Sequence, residues 1–199
     1  MRVLSAVAVA MLCCLAGCWE TLSWSPDGRF LAFVNPPGSV PWRWDSLTYE
    51  LEPISGLPAQ RVIYLDSSER MLFFYPMKDD EDKLRVDFRD FGSGTQHQVL
   101  PETHPYLFSV SPDGKWLYYI AEQDGANRIL KRSIADPEIE EEIWRTDLEI
   151  AYPHMGSPSQ GLLFAAELEE GVYAIRWLRE GKGEPGSPLN STRSVALPT

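Results

Sequence analysis

Apolar residues come in short runs broken by Gly, Pro, Ser and Asp. Beyond the first residues, no stretch repeats them at the spacing of an amphipathic helix. Two stretches are written almost alike. "LSWSPDGRFLAFV" (Leu22–Val34) and "FSVSPDGKWLYYIA" (Phe108–Ala121) each place apolar residues on both sides of a Ser-Pro-Asp-Gly core. The core has a mechanism. Pro26 and Pro112 preset φ near −65° at the second turn position. Ser25 and Ser111 can bond the turn backbone, while Asp27, Asp113, Gly28 and Gly114 suit the third and fourth positions of a type I turn. Each stretch therefore predicts a β-hairpin with its register set by the turn.

Weaker copies fall between and beyond these two. Val62–Leu65 and Met71–Tyr75 flank Asp66-Ser67-Ser68-Glu69, and Leu162–Ala166 follows Ser157-Pro158-Ser159-Gln160. Counted from residues 25, 66, 111 and 157, the intervals are 41, 45 and 46. Further strands are expected at Ser46–Glu52, Leu84–Phe91, Gln96–Leu100, Arg128–Ile134, Glu140–Trp144 and Val172–Leu178, with a short edge near Ile54 or Gln60 completing the first group. A period near 43 residues, with several short strands in each, is that of propeller blades. The fold expected is all-β and β-propeller-like, with about four blades of four antiparallel strands, either a small closed ring or an open arc.

The segments Trp24-Ser25-Pro26-Asp27-Gly28-Arg29 and Val110-Ser111-Pro112-Asp113-Gly114-Lys115 resemble the WD-like repeat of TolB-type propellers. In that family an aromatic or apolar residue, Ser-Pro-Asp-Gly and a basic residue precede an apolar strand. The period covers nearly all of the chain after its leader, the motif about two dozen residues. Family members usually carry six or more repeats, and this chain has room for four.

The leader changes the picture. Met1-Arg2 is followed by an apolar run, Val3–Leu12, too short to span a bilayer and suited to the core of an export signal. Leu15-Ala16-Gly17-Cys18 resembles the lipobox of bacterial lipoproteins. The resemblance implies cleavage before Cys18, acylation of Cys18, and a position on the cell membrane or outer membrane, facing the periplasm where there are two membranes. The organisation expected is a signal peptide at 1–17, a repeat domain at 18–180 and a flexible tail at 181–199, whose Ser194–Leu197 is a candidate closing strand. Cys13, Cys14 and Cys18 are the only cysteines, so a processed chain has no disulfide framework or free thiol.

The whole chain has a net charge of −11, and loss of Arg2 with the leader makes it −12. A surface this acidic repels phosphate backbones, which argues against nucleic acid, and it leaves membrane attachment to the lipid.

Few residues invite chemistry. Asp27 and Asp113 recur because each blade needs its turn. Asp79-Asp80-Glu81-Asp82 lacks the spaced ligands and glycine of a calcium loop and reads as a solvated hairpin tip, and Glu140-Glu141-Glu142 as an outer-strand surface. His97, His104 and His154 are not spaced as a zinc site. Gly156-Ser157-Pro158 is no nucleophile elbow, and the sequon Asn190-Ser191-Thr192 has little meaning in a bacterial lipoprotein. No catalytic residue, metal or cofactor is expected. The one loop that suggests binding is "NPPGSVPWRW" (Asn35–Trp44), stiffened by Pro36, Pro37 and Pro41 and carrying Trp42, Arg43 and Trp44, a composition common at binding hot spots. The reading is a lipid-anchored interaction or scaffold module with an envelope protein as partner. The alternative is a propeller-based hydrolase or ligand-binding protein.

Overall fold

A computed structural model describes residues 22–36, 38–80, 83–103, 108–155, 161–169 and 172–178. Among them there are fifteen strands and no helix. The strands are β1 (Leu22–Trp24), β2 (Phe30–Phe33), β3 (Trp42–Asp45), β4 (Leu51–Pro53), β5 (Arg61–Tyr64), β6 (Arg70–Pro76), β7 (Leu84–Asp90), β8 (Thr95–Thr103), β9 (Phe108–Val110), β10 (Trp116–Gln123), β11 (Ala126–Ser133), β12 (Glu140–Thr146), β13 (Ile150–Met155), β14 (Leu162–Glu169) and β15 (Val172–Leu178). They form three four-stranded sheets, β1–β4, β5–β8 and β9–β12, and a three-stranded sheet, β13–β15, each with its strands side by side in chain order. This is the all-β, blade-by-blade architecture expected from the repeat. Cys18, Ser157, the sequon and Ser194–Leu197 lie outside the described residues.

Two expectations need correction. Ser46–Glu52 is not a strand. The third strand of the first sheet is Trp42–Asp45, and the fourth is Leu51–Pro53. Asp45 causes the reversal between them. Its carboxylate accepts the Leu47 N–H at 2.8 Å and its carbonyl accepts the Tyr49 N–H at 2.8 Å, while Tyr49 takes φ +60°. The phase of the repeat also shifts. The hairpins close on Trp24↔Leu31, Tyr64↔Met71, Val110↔Leu117 and Met155↔Leu162, so each encloses six residues. Leu65, not Asp66, therefore stands where Ser25 stands, and the intervals are 40, 46 and 45. Leu65 N–H donates to the Arg70 carbonyl as Ser25 N–H donates to that of Phe30.

The chain divides into two compact units, one of residues up to 80 with 86–97, the other of 81–85 with everything from 98 on. In the first, Ala32 and Val34 from the β1–β4 sheet pack on Val62, Tyr64, Met71, Phe73 and Tyr75 from β5 and β6, with Ile54 and Ala59 from the connecting segment. Phe73 and Tyr75 stack, with centroids 6.0 Å apart. The Ser23 hydroxyl accepts the Tyr64 N–H at 2.9 Å, tying β1 to β5. In the second unit, Tyr118, Ile120 and Ile129 pack on Ile150, Leu162, Phe164, Ala166 and Leu178. Trp144 lies 5.1 Å from Phe164, centroid to centroid. A fully buried aromatic of this kind is worth a few kcal/mol.

Candidate interaction surface

The Ser-Pro-Asp-Gly turns are built alike. In the first, the Gly28 N–H donates to the Ser25 carbonyl at 2.9 Å, and Gly28 takes φ +70°. The Ser25 hydroxyl donates to the Asp27 carboxylate at 2.6 Å and accepts the Phe30 N–H at 2.8 Å. In the second, the Gly114 N–H donates to the Ser111 carbonyl at 2.9 Å, with φ +66°. The Ser111 hydroxyl donates to Asp113 at 2.6 Å and accepts the Trp116 N–H at 2.9 Å. These bonds hold the Asp27 and Asp113 carboxyls below their ordinary range. Pro26 and Pro112 are exposed at the turn tips. Both carboxylates spend their lone pairs on their own turns, an arrangement that shapes a hairpin and offers little to a ligand.

The β1–β4 sheet has two unlike faces. Its register rows are Trp24↔Leu31↔Trp44↔Leu51 and Leu22↔Phe33↔Trp42↔Pro53. Residues in one row, and rows two apart, share a face. That face therefore carries Leu22, Trp24, Leu31, Phe33, Trp42, Trp44, Leu51 and Pro53, all apolar. Trp24 is 53% exposed and Leu51 54%. The Trp24 and Trp44 rings meet edge to face with centroids 6.3 Å apart, and Tyr49 lies 6.1 Å from Trp44. Trp24, Trp44 and Tyr49 thus form a continuous aromatic ladder. A sheet face bathed in water ordinarily alternates to polar residues. A contiguous apolar patch rimmed by polar residues marks a binding surface.

The opposite face holds Phe30, Ala32, Arg43, Asp45 and Glu52. The Arg43 guanidinium lies 4.5 Å from the Phe30 ring centroid, and its Nε donates to Glu52 at 2.8 Å. Arg29 lies 4.6 Å from the same centroid and grips Asp45 through Nε at 3.1 Å and a terminal nitrogen at 2.7 Å. A recess of about 210 Å³ lined by Arg29, Phe30, Arg43, Asp45, Glu50 and Glu52 opens here. Its two guanidiniums are already matched by carboxylates. Arg29 holds the Asp45 carboxyl down to about 2, helped by the Leu47 and Thr48 N–H groups. Burial pushes the Tyr64 hydroxyl up to about 12, against the pull of Arg43.

Trp42, Arg43 and Trp44 therefore do not form one loop-borne cluster. All three lie in β3, where alternation puts the two tryptophans on the apolar face and Arg43 on the other. The loop reading fails because the strand begins right after Pro41. Trp24, Tyr49 and Leu51 belong with the tryptophans, and sequence reasoning misses them. Period-two alternation in Trp42-Arg43-Trp44 is the available signal; the register that adds Trp24 and Leu51 is not.

The other candidates fall elsewhere. His97 lies in β8, 5.0 Å from the Phe88 ring centroid, and His154 in β13, while His104 lies outside the described residues. Asp79 and Asp80 follow β6, and Glu81 and Asp82 are outside the described residues. Glu140, Glu141 and Glu142 occupy the edge strand β12, exposed to solvent. Among the described residues there is no cluster of three His, Cys, Asp or Glu able to hold a metal, and no helix long and apolar enough to cross a membrane.

No sequence-family model and no curated protein sequence matches the chain. Solved structures do resemble it. TolB from Acinetobacter baumannii superposes with a TM-score of 0.56 at 17% identity, over 85% of this chain and 45% of that one. Dipeptidyl peptidase 4 of Porphyromonas gingivalis gives a TM-score of 0.61 at 12% identity, over 87% and 30%. A chain of a nidogen/laminin complex gives 0.56 at 9% identity, over 84% and 61%. At these identities the likeness is one of fold, and the fold is that of β-propeller proteins. The chain spans less than half the length of the first two.

Proposed function

We propose that this protein is a lipid-anchored β-propeller module of the bacterial cell envelope that works by binding protein, as an interaction or scaffold element. The observation that carries the reading is the uncharged face of the β1–β4 sheet, where eight register positions are all apolar in a chain of net charge −11. Such a face is stable in water only at a cost, and protein contact removes that cost. Trp24, Trp42, Trp44, Tyr49 and Leu51 are the contact residues, and Arg43 braces the sheet from behind. The partner is another protein of the envelope. Leu15-Ala16-Gly17-Cys18 supports anchoring through Cys18, and the likeness to TolB agrees with an exported location.

Two measurements test this. Cys18→Ser should release the protein from the membrane pellet under a high-salt wash, and undiminished retention would place the anchor elsewhere. Partner capture from detergent-solubilised envelopes should be lost with Trp44→Glu and kept with Glu141→Gln, on an exposed strand. Equal capture by both variants would remove the sheet face from the reading.

A further inference from the structure

The apolar face of the β1–β4 sheet begins close to the residue that would carry the lipid. Leu22 is the first residue of β1 and a member of that face. It stands four residues after Cys18. A chain spans at most about 3.3–3.6 Å per residue, so Leu22 lies no more than roughly 14 Å from an acylated Cys18. The whole face belongs to the first compact unit. Resting on the reading that the chain is anchored through Cys18 and that this face binds protein, we propose that the partner is itself held by the membrane, through a span or a lipid of its own, and offers an uncharged apolar surface close to the headgroups.

Three observations select this partner. The first is the short tether. Four strands about 4.8 Å apart and three or four residues long give a face of roughly 19 by 12 Å in plan. Even its far corner therefore stays within about 40 Å of the anchored residue, and a partner must present its contact surface in that layer. The second is area. One such face falls well short of the ~800 Å² of surface per partner that stable interfaces bury. A contact this small is weak between freely diffusing proteins. Confining both proteins to one membrane raises their effective concentration, as linking two modules does, and such confinement strengthens binding by roughly 10²–10⁴ without a new contact. The third is charge. None of the eight register positions on the face is ionisable. A charged group brought against Trp24 or Trp44 would lose its water and find no ion-pair partner on the face, so the partner's surface is apolar at its centre. The bilayer is the poorer occupant, because laying this face on anionic headgroups brings a chain of net charge −11 with it.

The test places a photo-reactive benzophenone amino acid in place of Leu51, in the full chain in native envelopes. Leu51 is 54% exposed, which spares the fold. A control carries the same group in place of Glu141, exposed on β12. The expected result is a protein adduct at position 51 and not at 141. Its partner peptides, read by mass spectrometry, should come from a protein with a membrane span or a lipidation motif of its own. Adding Cys18→Ser, which frees the chain, should cut that adduct at least about tenfold. A partner with neither span nor lipidation motif would overturn the proposal, as would an undiminished adduct in the freed chain; in both cases the interaction reading stands. Retention of the Cys18→Ser chain in the membrane pellet would overturn the proposal by removing its anchor, and leaves the protein contact untouched. The same adduct at both positions would mean crowding rather than docking, adducts of phospholipid mass alone would put the bilayer over the face, and no adduct would leave it bare. Each of those three results overturns the proposal and the interaction reading together.

Discussion

The Ser111 hydroxyl ties the Asp113 carboxylate to the start of β10 across one turn. Ser111 is 8% exposed. Its hydroxyl donates to the Asp113 carboxylate at 2.6 Å and accepts the Trp116 N–H at 2.9 Å, the first amide of β10. Ser111→Ala removes both bonds and adds no bulk. A hydrogen bond to a charged group is worth about 1.5–3 kcal/mol and a neutral one about 1, and both partners here sit near enough to solvent to recover part of the loss. The expected destabilisation is about 2 kcal/mol, which for a chain of this length lowers Tm by roughly 4–8 °C. Thermal unfolding followed by circular dichroism measures it, with urea unfolding to show an unchanged slope. The pH dependence has a definite sign. The Asp113 carboxyl is held below its ordinary range, chiefly by this hydroxyl, so the stability it adds is present above the ordinary carboxylate value of about 3.9. That stability is lost as pH falls through the lowered value, so the gap between wild type and Ser111→Ala should narrow in acid. A double-mutant cycle with Asp113→Asn should show coupling between the two sites. Ser111→Ala melting within a degree of wild type, or additive effects in the cycle, would refute the account.

Other outcomes follow from the same geometry. Gly28 takes φ +70° with open space where a Cβ would stand, so strain alone decides: Gly28→Val should cost about 1–2 kcal/mol and Gly28→Asn distinctly less, read by Tm. Asp124 (φ +55°) and Gly125 (φ +72°) form the two-residue β10–β11 turn between Gln123 and Ala126, a left-handed pair that Asp tolerates and Val does not, so Asp124→Val should lower the urea midpoint while Asp124→Asn leaves it nearly unchanged. Asp45, held at about 2 by Arg29, contributes stability above pH ~3.9 that disappears as pH falls through about 2. Asp45→Asn should therefore lower Tm at neutral pH and lose part of the acid dependence of unfolding between those values.

Much of the fold is legible because hairpin turns are local chemistry. Ser-Pro-Asp-Gly restricts its own dihedrals and supplies its own hydrogen bonds, so Ser25–Gly28 and Ser111–Gly114 can be read as turns without any neighbour. The strands expected at Leu84–Phe91, Arg128–Ile134, Glu140–Trp144 and Val172–Leu178 lie at 84–90, 126–133, 140–146 and 172–178, within two residues at each end. The weak copy at Leu65–Arg70 differs by one residue from its expected phase. It has no proline or glycine, and the backbone bond from Leu65 to Arg70 fixes where it begins, with the Arg70–Asp66 ion pair across the turn. Ser46–Glu52 looks like a strand by composition, but the Asp45 carboxylate captures the Leu47 amide and turns the chain instead.

The sequence by itself determined the period, the two Ser-Pro-Asp-Gly hairpins and the excess of negative charge. Those are properties of neighbours along the chain, set by torsional preference and side-chain parity. Only the tertiary structure decided which strands lie side by side, and so which residues share a face. Trp24 and Trp44 are twenty positions apart, and their rings meet only because β2 lies between their strands with Leu31 in the same row. Arg43 could have been a free cation until Phe30 and Glu52 were brought against it. A surface is a sum over strands, and its apolar character emerges from a register that long-range pairing alone can fix.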